Sequence, residues 1–202
     1  MKTSKKSLKR ILIALFGAMF CLFNSSIMAQ AQGIYISAAD FKTNKLPFGD
    51  EKLKKCKIKL HEFSYKHPVK VSCGDSVFSF SKDSIYGYKD KEGISHRFFN
   101  KNVFEILNPG EAILLYKILV CPKTKYDQAK YEYFFSKDVN SPIVALILNN
   151  LEANFETNKT FVELLDVHFK NNEELLMYDS IHKMYKINHL LELSITPVSK
   201  TN

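Results

Sequence analysis

Tyr178, His182, Tyr185 and His189 are separated by four, three and four residues, the intervals that stack side chains on one face of a helix. Two imidazoles and two phenols on one face supply proton donors and acceptors, with the imidazoles titrating near neutral pH. The four therefore make a candidate polar pocket. The same spacing argues against a metal: two helical turns would hold His182 and His189 about 10 Å apart along the axis, whereas ligand distances to one ion are near ~2 Å. His61, His67, His96 and His168 lack the close spacings of zinc motifs, and no two Cys stand two to four residues apart. No metal and no cofactor is expected.

Other chemistry-bearing patterns are sparse. No glycine-rich phosphate loop, G-x-S-x-G elbow or H-E-x-x-H is present, so no catalytic residue can be named and binding is favoured over catalysis. A Cys-His or carboxylate pair converging from separate loops would make the chain a small hydrolase instead, and a structural or assembly subunit of the cell envelope is a third class. The chain has no Trp but ten Tyr. Tyr86 and Tyr88 alternate on one side of a strand, as do Tyr131 and Tyr133. Either pair could present rings to a sugar or pack as core.

The elements that must position these residues follow from periodicity. The chain has 202 residues, 46% apolar and 25% charged, a globular composition. From Cys56 to Ser136 the pattern has period two, with candidate strands at Cys56–Leu60, Val69–Cys73, Val77–Ser81, Ser84–Lys89, Ile94–Asn100, Val103–Leu107, Ala112–Val120 and Tyr131–Phe135. After Ser136 the period becomes helical. Ser141-Pro142 reads as the start of one helix, Phe161, Leu164, Leu165 and Phe169 line a second, and a third is expected over about Asn172 to Leu193. Ser37 can cap a short helix at Ala38. The expectation is an α+β fold: an antiparallel meander of about eight strands, barrel-like or a sandwich, followed by three C-terminal helices in a single domain spanning 32–202.

Residues 1–31 read as a secretory signal. Lys2, Lys5, Lys6, Lys9 and Arg10 precede an apolar run from Ile11 to Phe23, and Ala29-Gln30-Ala31 offers the small residues for cleavage before Gln32. The apolar run is too short to span a bilayer. Phe20, directly before Cys21, disfavours acylation there. A periplasmic or secreted protein is expected, without a transmembrane segment in its mature part. Removing the leader leaves 24 of 29 basic residues against all 21 acidic ones, lowering the net charge from +8 to +3. Arg97 is then the sole Arg, which makes nucleic acid a poor partner. Nine Lys between Lys42 and Lys70 stand against Asp50, Glu51 and Glu62, a basic field that either contacts an anionic glycan, lipid or other envelope partner or is simply solvated.

Three Cys remain beyond the leader. In a symmetric hairpin of the first two strands, 56 and 73, 58 and 71, and 60 and 69 pair, which puts Cys56 opposite Cys73. The two then form a disulfide or pack as buried thiols. Cys121, ending an apolar strand, is expected to be buried.

The segments Asp83 to Asp90, Arg97-Phe98-Phe99 and Tyr178 to Asn188 resemble uncharacterised secreted proteins of Bacteroidota. That resemblance implies a Gram-negative envelope address, with the periplasm first, and carries no catalytic residues. Asp75-Ser76-Val77 and Asp83-Ser84-Ile85 look like the O-glycosylation triplets of exported proteins in that phylum, making Ser76 and Ser84 candidate acceptors. Asp179-Ser180-Ile181 has the same form but falls within the expected last helix.

Overall fold

The computed structural model describes residues 32–49, 56–61, 64–121 and 128–196. The expected leader, with cleavage positions Ala29 and Ala31, lies outside them, and Gln32 is the first described residue. In chain order the elements are β1 Gly33–Tyr35, α1 Ala38–Lys42, β2 Cys56–Lys59, β3 Val69–Cys73, β4 Ser76–Phe80, β5 Gly87–Lys89, β6 Ser95–Phe99, β7 Asn102–Ile106, β8 Leu114–Val120, β9 Lys130–Ser136 and β10 Val144–Ala145. They continue with α2 Leu148–Asn154, α3 Lys159–His168, a 3-10 turn at Asn172–Leu176, β11 Tyr178–Asp179, β12 Met184–Tyr185 and α4 Lys186–Ile195.

Strands β5 to β10 form an antiparallel meander, with β1 added beside β5. The order has two ends, β1 and β10, so the seven strands make an open sheet rather than a closed ring. β5 and β6 approach closely at Gly87, where a Cβ would collide with the carbonyl oxygen of His96. Strands β2, β3 and β4 make a separate three-stranded sheet, and β11 pairs with β12 in a two-stranded one. The α+β meander with helices concentrated near the C-terminus is therefore present.

Alternation along the strands gives the large sheet two faces. On one, Ile34, Tyr88 and Phe98 pack against Val69 and Val71 of the small sheet. Further along the same face, Leu115 and Phe135 pack against Leu151, Phe161, Leu165 and Ile187 of the helices. The opposite face carries Tyr35, Phe104, Leu114 and Tyr116, covered in part by Phe41 of α1. That helix opens with the expected cap: Ser37 Oγ accepts from the Asp40 N–H and Asp40 Oδ2 from the Ser37 N–H. Arg97 is buried on this second face, donating to the Tyr116 hydroxyl and the Ser141 carbonyl, each at 3.0 Å. The guanidinium is thus spent inside the protein.

The small sheet follows the symmetric register: Cys56 pairs with Cys73, Lys57 with Ser72, Ile58 with Val71 and Lys59 with Lys70. Cys56 and Cys73 form a disulfide with Cα atoms 4.2 Å apart. Cys121 is exposed just beyond β8, contrary to the expectation of burial. Burial along that strand falls from complete at Leu114, Leu115 and Tyr116 to half-exposed at Leu119, so its end lies at the surface.

Two helices differ from expectation. Ser141-Pro142 does not begin a helix: Asp138 Oδ1 accepts the N–H groups of Asn140 and Ser141, and Arg97 claims the Ser141 carbonyl. Val144 and Ala145 then add to the edge of β9, opposite Phe135 and Phe134, and helix α2 starts only at Leu148. The expected long last helix is replaced by the 3-10 turn, a β hairpin and the ten-residue α4. Asp179 accepts the N–H of Ile181 and His182, and Lys183 adopts a left-handed φ of 57°, so the chain reverses where a helix would continue.

A disulfide across 17 residues stabilises by about 3 kcal/mol through the unfolded chain. Alkylating the non-reduced protein, freed of residues 1–31, should modify one thiol, Cys121, and reduction should lower the unfolding free energy by about that amount. Three modified thiols without reduction would contradict the bridge.

Candidate functional site

Neither helix cover nor sheet cover extends over all of the first face. Glu105, Lys117 and Tyr133 form one cross-strand row over β7, β8 and β9, and Leu119 and Tyr131 form the next. Lys117 Nζ pairs with Glu105 at 2.8 Å and lies 5.1 Å from the centre of the Tyr131 ring. The Glu105 carboxylate raises the Lys117 pKa, so its ammonium stays charged. Of the two sequence-selected tyrosine pairs, Tyr86 and Tyr88 are core residues at 9% and 4% exposure, while Tyr131 and Tyr133 remain 51% and 36% exposed.

Tyr131 and Tyr133 line an open groove of about 420 Å³ whose far wall is Ile147, Asn172, Glu173 and Leu176. The β11–β12 hairpin stands beside it. Tyr178 and Tyr185 are directly paired there, their rings edge to face at 5.7 Å. Burial raises the Tyr185 pKa, as does the field of Glu111, with Lys117 opposing and Tyr133 adding a smaller rise. Tyr185 thus links the hairpin to the Lys117–Tyr133 row. The arrangement offers exposed rings and an ammonium on strands, with an amide and a carboxylate on the facing 3-10 turn, a surface suited to binding a polar molecule that also has apolar faces.

The sequence-selected residues Tyr178, His182, Tyr185 and His189 do not share a helix face, and they divide into two sets. Tyr178 and Tyr185 belong to the hairpin. His182 sits in its turn and His189 on α4, with ring centres 3.6 Å apart. The chain reversal brings together the two imidazoles that a continuous helix would hold about 10 Å apart. Both turn Nδ1 toward Asp179, donating to Oδ2 at 2.8 Å from His182 and 3.2 Å from His189. The His182 hydrogen bond, with the backbone N–H of His182 and Ile181, holds the Asp179 carboxyl well below the usual carboxylate range. Asp179 escaped the sequence reading, although Asp179-Ser180 is a turn signal.

The other candidates are dispersed. His96 hydrogen-bonds Asp90 at 2.8 Å and stacks on Tyr88. His61 and His67 lie 5.5 Å apart, ring centre to ring centre, and His168 is exposed at the end of α3. Lys57, Lys59 and Lys70 share the exposed face of the small sheet, whereas Asp50, Glu51, Glu62 and Lys52, Lys54 and Lys55 lie outside the described residues. Ser76 and Ser84 are exposed, and Ser180 occupies the exposed hairpin turn rather than a helix.

Compared with protein-family models, curated proteins and solved structures, the chain finds no match in any of the three.

Glu111 supports the hairpin from the sheet side. Its carboxylate accepts from the Tyr185 N–H at 3.2 Å and from Asn108 Nδ2 at 3.0 Å. Burial raises its pKa above that of the unfolded chain. Its protonation therefore favours folding at pH below the ordinary glutamate range, a contribution lost as pH rises through the folded-state value. Glu111→Gln should compare best with wild type at pH 7, with the melting-temperature difference shifting toward wild type as pH falls to 4. A difference independent of pH would contradict this role.

Proposed function

We propose that the protein is a non-catalytic binding domain of the Gram-negative cell envelope, exported to the periplasm or beyond, whose tyrosine-lined groove takes a sugar chain. The observation that carries the reading is the exposed pair Tyr131 and Tyr133, held on one face of β9 beside Lys117. The strand fixes the backbone beneath these rings, and each Tyr has only two χ angles to order when a ligand stacks on it. Their spacing, about 7 Å for alternate residues of a strand, presents two successive platforms along one direction. Asn172 and Glu173 across the groove supply hydrogen-bonding groups for hydroxyls.

The address rests on the sequence of the first 31 residues and on the resemblance to secreted proteins. The Cys56–Cys73 bridge suits an oxidising compartment. Among the described residues no helix is long and apolar enough to cross a membrane.

Calorimetric titration with neutral glucan and N-acetylglucosamine oligomers should give saturable binding. Tyr131→Ala should weaken it roughly 10-fold, equivalent to ~1.4 kcal/mol, with no change in melting temperature beyond that of an exposed substitution. Saturable binding that Tyr131→Ala and Tyr133→Ala both leave intact, or no binding across the panel, would sink the proposal.

A second reading concerns the basic field. Lys59 stands directly opposite Lys70, a like-charge pairing that is unfavourable unless an anion lies against it. An anionic glycan or lipid headgroup on this face would explain its retention. Binding to anionic-lipid vesicles should then fall steeply between 50 mM and 500 mM salt, and salt-insensitive association would return these lysines to a solvated face.

A further inference from the structure

We propose that Asp179, His182 and His189 form a binding site for one transition-metal ion of the Zn²⁺ class. Their ligand atoms all lie within 4.8 Å of one another. Nδ1 of both histidines is directed at Asp179 Oδ2, at 2.8 and 3.2 Å. An ion about 2.0 to 2.1 Å from each donor needs these separations to open only to about 3.4 Å for tetrahedral geometry. The two rings, whose centres lie 3.6 Å apart, must also spread so that both Nδ1 lone pairs converge on the ion, a rotation open to the exposed His182 side chain in the hairpin turn.

The carboxylate divides its oxygens between two tasks. Oδ1 accepts the N–H groups of Ile181 and His182, which fixes the turn, and Oδ2 is left to the imidazoles. His189 is held from behind, since its neighbour Asn188 bonds both backbone groups of Ile113, the residue directly before β8. All three donors therefore rest on backbone that is already ordered, the condition under which a small ligand set binds a metal tightly. To bind the ion through Nδ1 each neutral imidazole takes its Nε2–H tautomer: the Nδ1 proton leaves, one is taken up at Nε2 from solvent, and the freed Nδ1 lone pair joins Oδ2 in the donor set.

The donor chemistry selects the ion. Two imidazole nitrogens and one carboxylate suit Zn²⁺, Co²⁺, Ni²⁺ or Cu²⁺, whereas Mg²⁺ and Ca²⁺ favour all-oxygen shells. Three protein donors on a partly exposed surface leave a fourth position for water or for a ligand group. The site stands apart from the sugar-binding reading: it uses neither Tyr131, Tyr133 nor Lys117.

The test is titration of the chelator-stripped full chain with Zn²⁺, and with Co²⁺ followed by its visible absorption. One ion per chain should bind, and the Co²⁺ spectrum should show the intense bands of a low-coordinate nitrogen and oxygen site. Asp179→Asn keeps the Oδ1 acceptor of the turn but loses the anionic donor, so it should fold normally and weaken Zn²⁺ binding roughly 100-fold. His189→Ala should do the same, whereas His67→Ala, His168→Ala and Cys121→Ser should leave the affinity unchanged. Zn²⁺ binding unaffected by Asp179→Asn and His189→Ala, or no binding at 100 µM Zn²⁺, would overturn the proposal.

Discussion

Asn188 fastens helix α4 to the sheet through two hydrogen bonds to one residue. Its Oδ1 accepts the Ile113 N–H at 2.7 Å and its Nδ2 donates to the Ile113 carbonyl at 3.0 Å. Asn108 completes the arrangement, donating to the same carbonyl and accepting from the Leu115 N–H. All four hydrogen bonds are buried, so losing the Asn188 amide would strand the Ile113 N–H at a cost of about 1–3 kcal/mol, while the Ile113 carbonyl keeps its bond from Asn108. Hydrophobic burial of Ile187 and Leu190 brings α4 to the sheet, but it does not choose a position along it. The amide pair does, and the hairpin, Tyr185 and His189 take their places from that choice.

Once α4 is fixed, the uncovered part of the sheet face follows. The small sheet occupies one end, over Tyr88 and Phe98, and the helices occupy the other, over Leu115 and Phe135. Between and beyond them Leu119 and Tyr131 stay about half exposed and Tyr133 partly so, with no cover of comparable extent among the described residues. The groove opens along β9 over residues 131–134, where the short β10 gives out after Ala145, and the 3-10 turn at Asn172–Leu176 forms its other wall. The turn of the β11–β12 hairpin folds His182 back toward α4 and brings it to His189.

Much of this organisation was legible in the sequence wherever pairing is local and one face is apolar. The β2–β3 register followed from alternation alone because a one-residue slip would have put Lys57 and Lys59 into the core and Ile58 into water. Ser37 likewise announced α1, and Asp40 completes its cap. The final segment misled for a physical reason. Intervals of four, three and four describe a helix face, but the strand partners Tyr178 and Tyr185 of a short hairpin can have the same spacing. Ser141-Pro142 looked like a helix start because its competing partners, Asp138 and Arg97, come from a turn and from a strand 44 residues away. Asp179 was the informative residue in both the turn and the cluster, and its contact with His189 depends on tertiary folding.

The most direct measurement of this arrangement is amide hydrogen exchange on the wild-type protein and Asn188→Ala. In wild type, the Ile113 amide should exchange only through global unfolding, and the Tyr185 amide, bonded to Glu111, should also be protected. In Asn188→Ala, Ile113 and Tyr185 should lose protection together while the β2–β3 amides keep theirs relative to the global limit. An unprotected Ile113 amide in wild type, or a hairpin indifferent to the substitution, would contradict the claim that the Asn188 amide, with Asn108, sets the position of α4 and the hairpin.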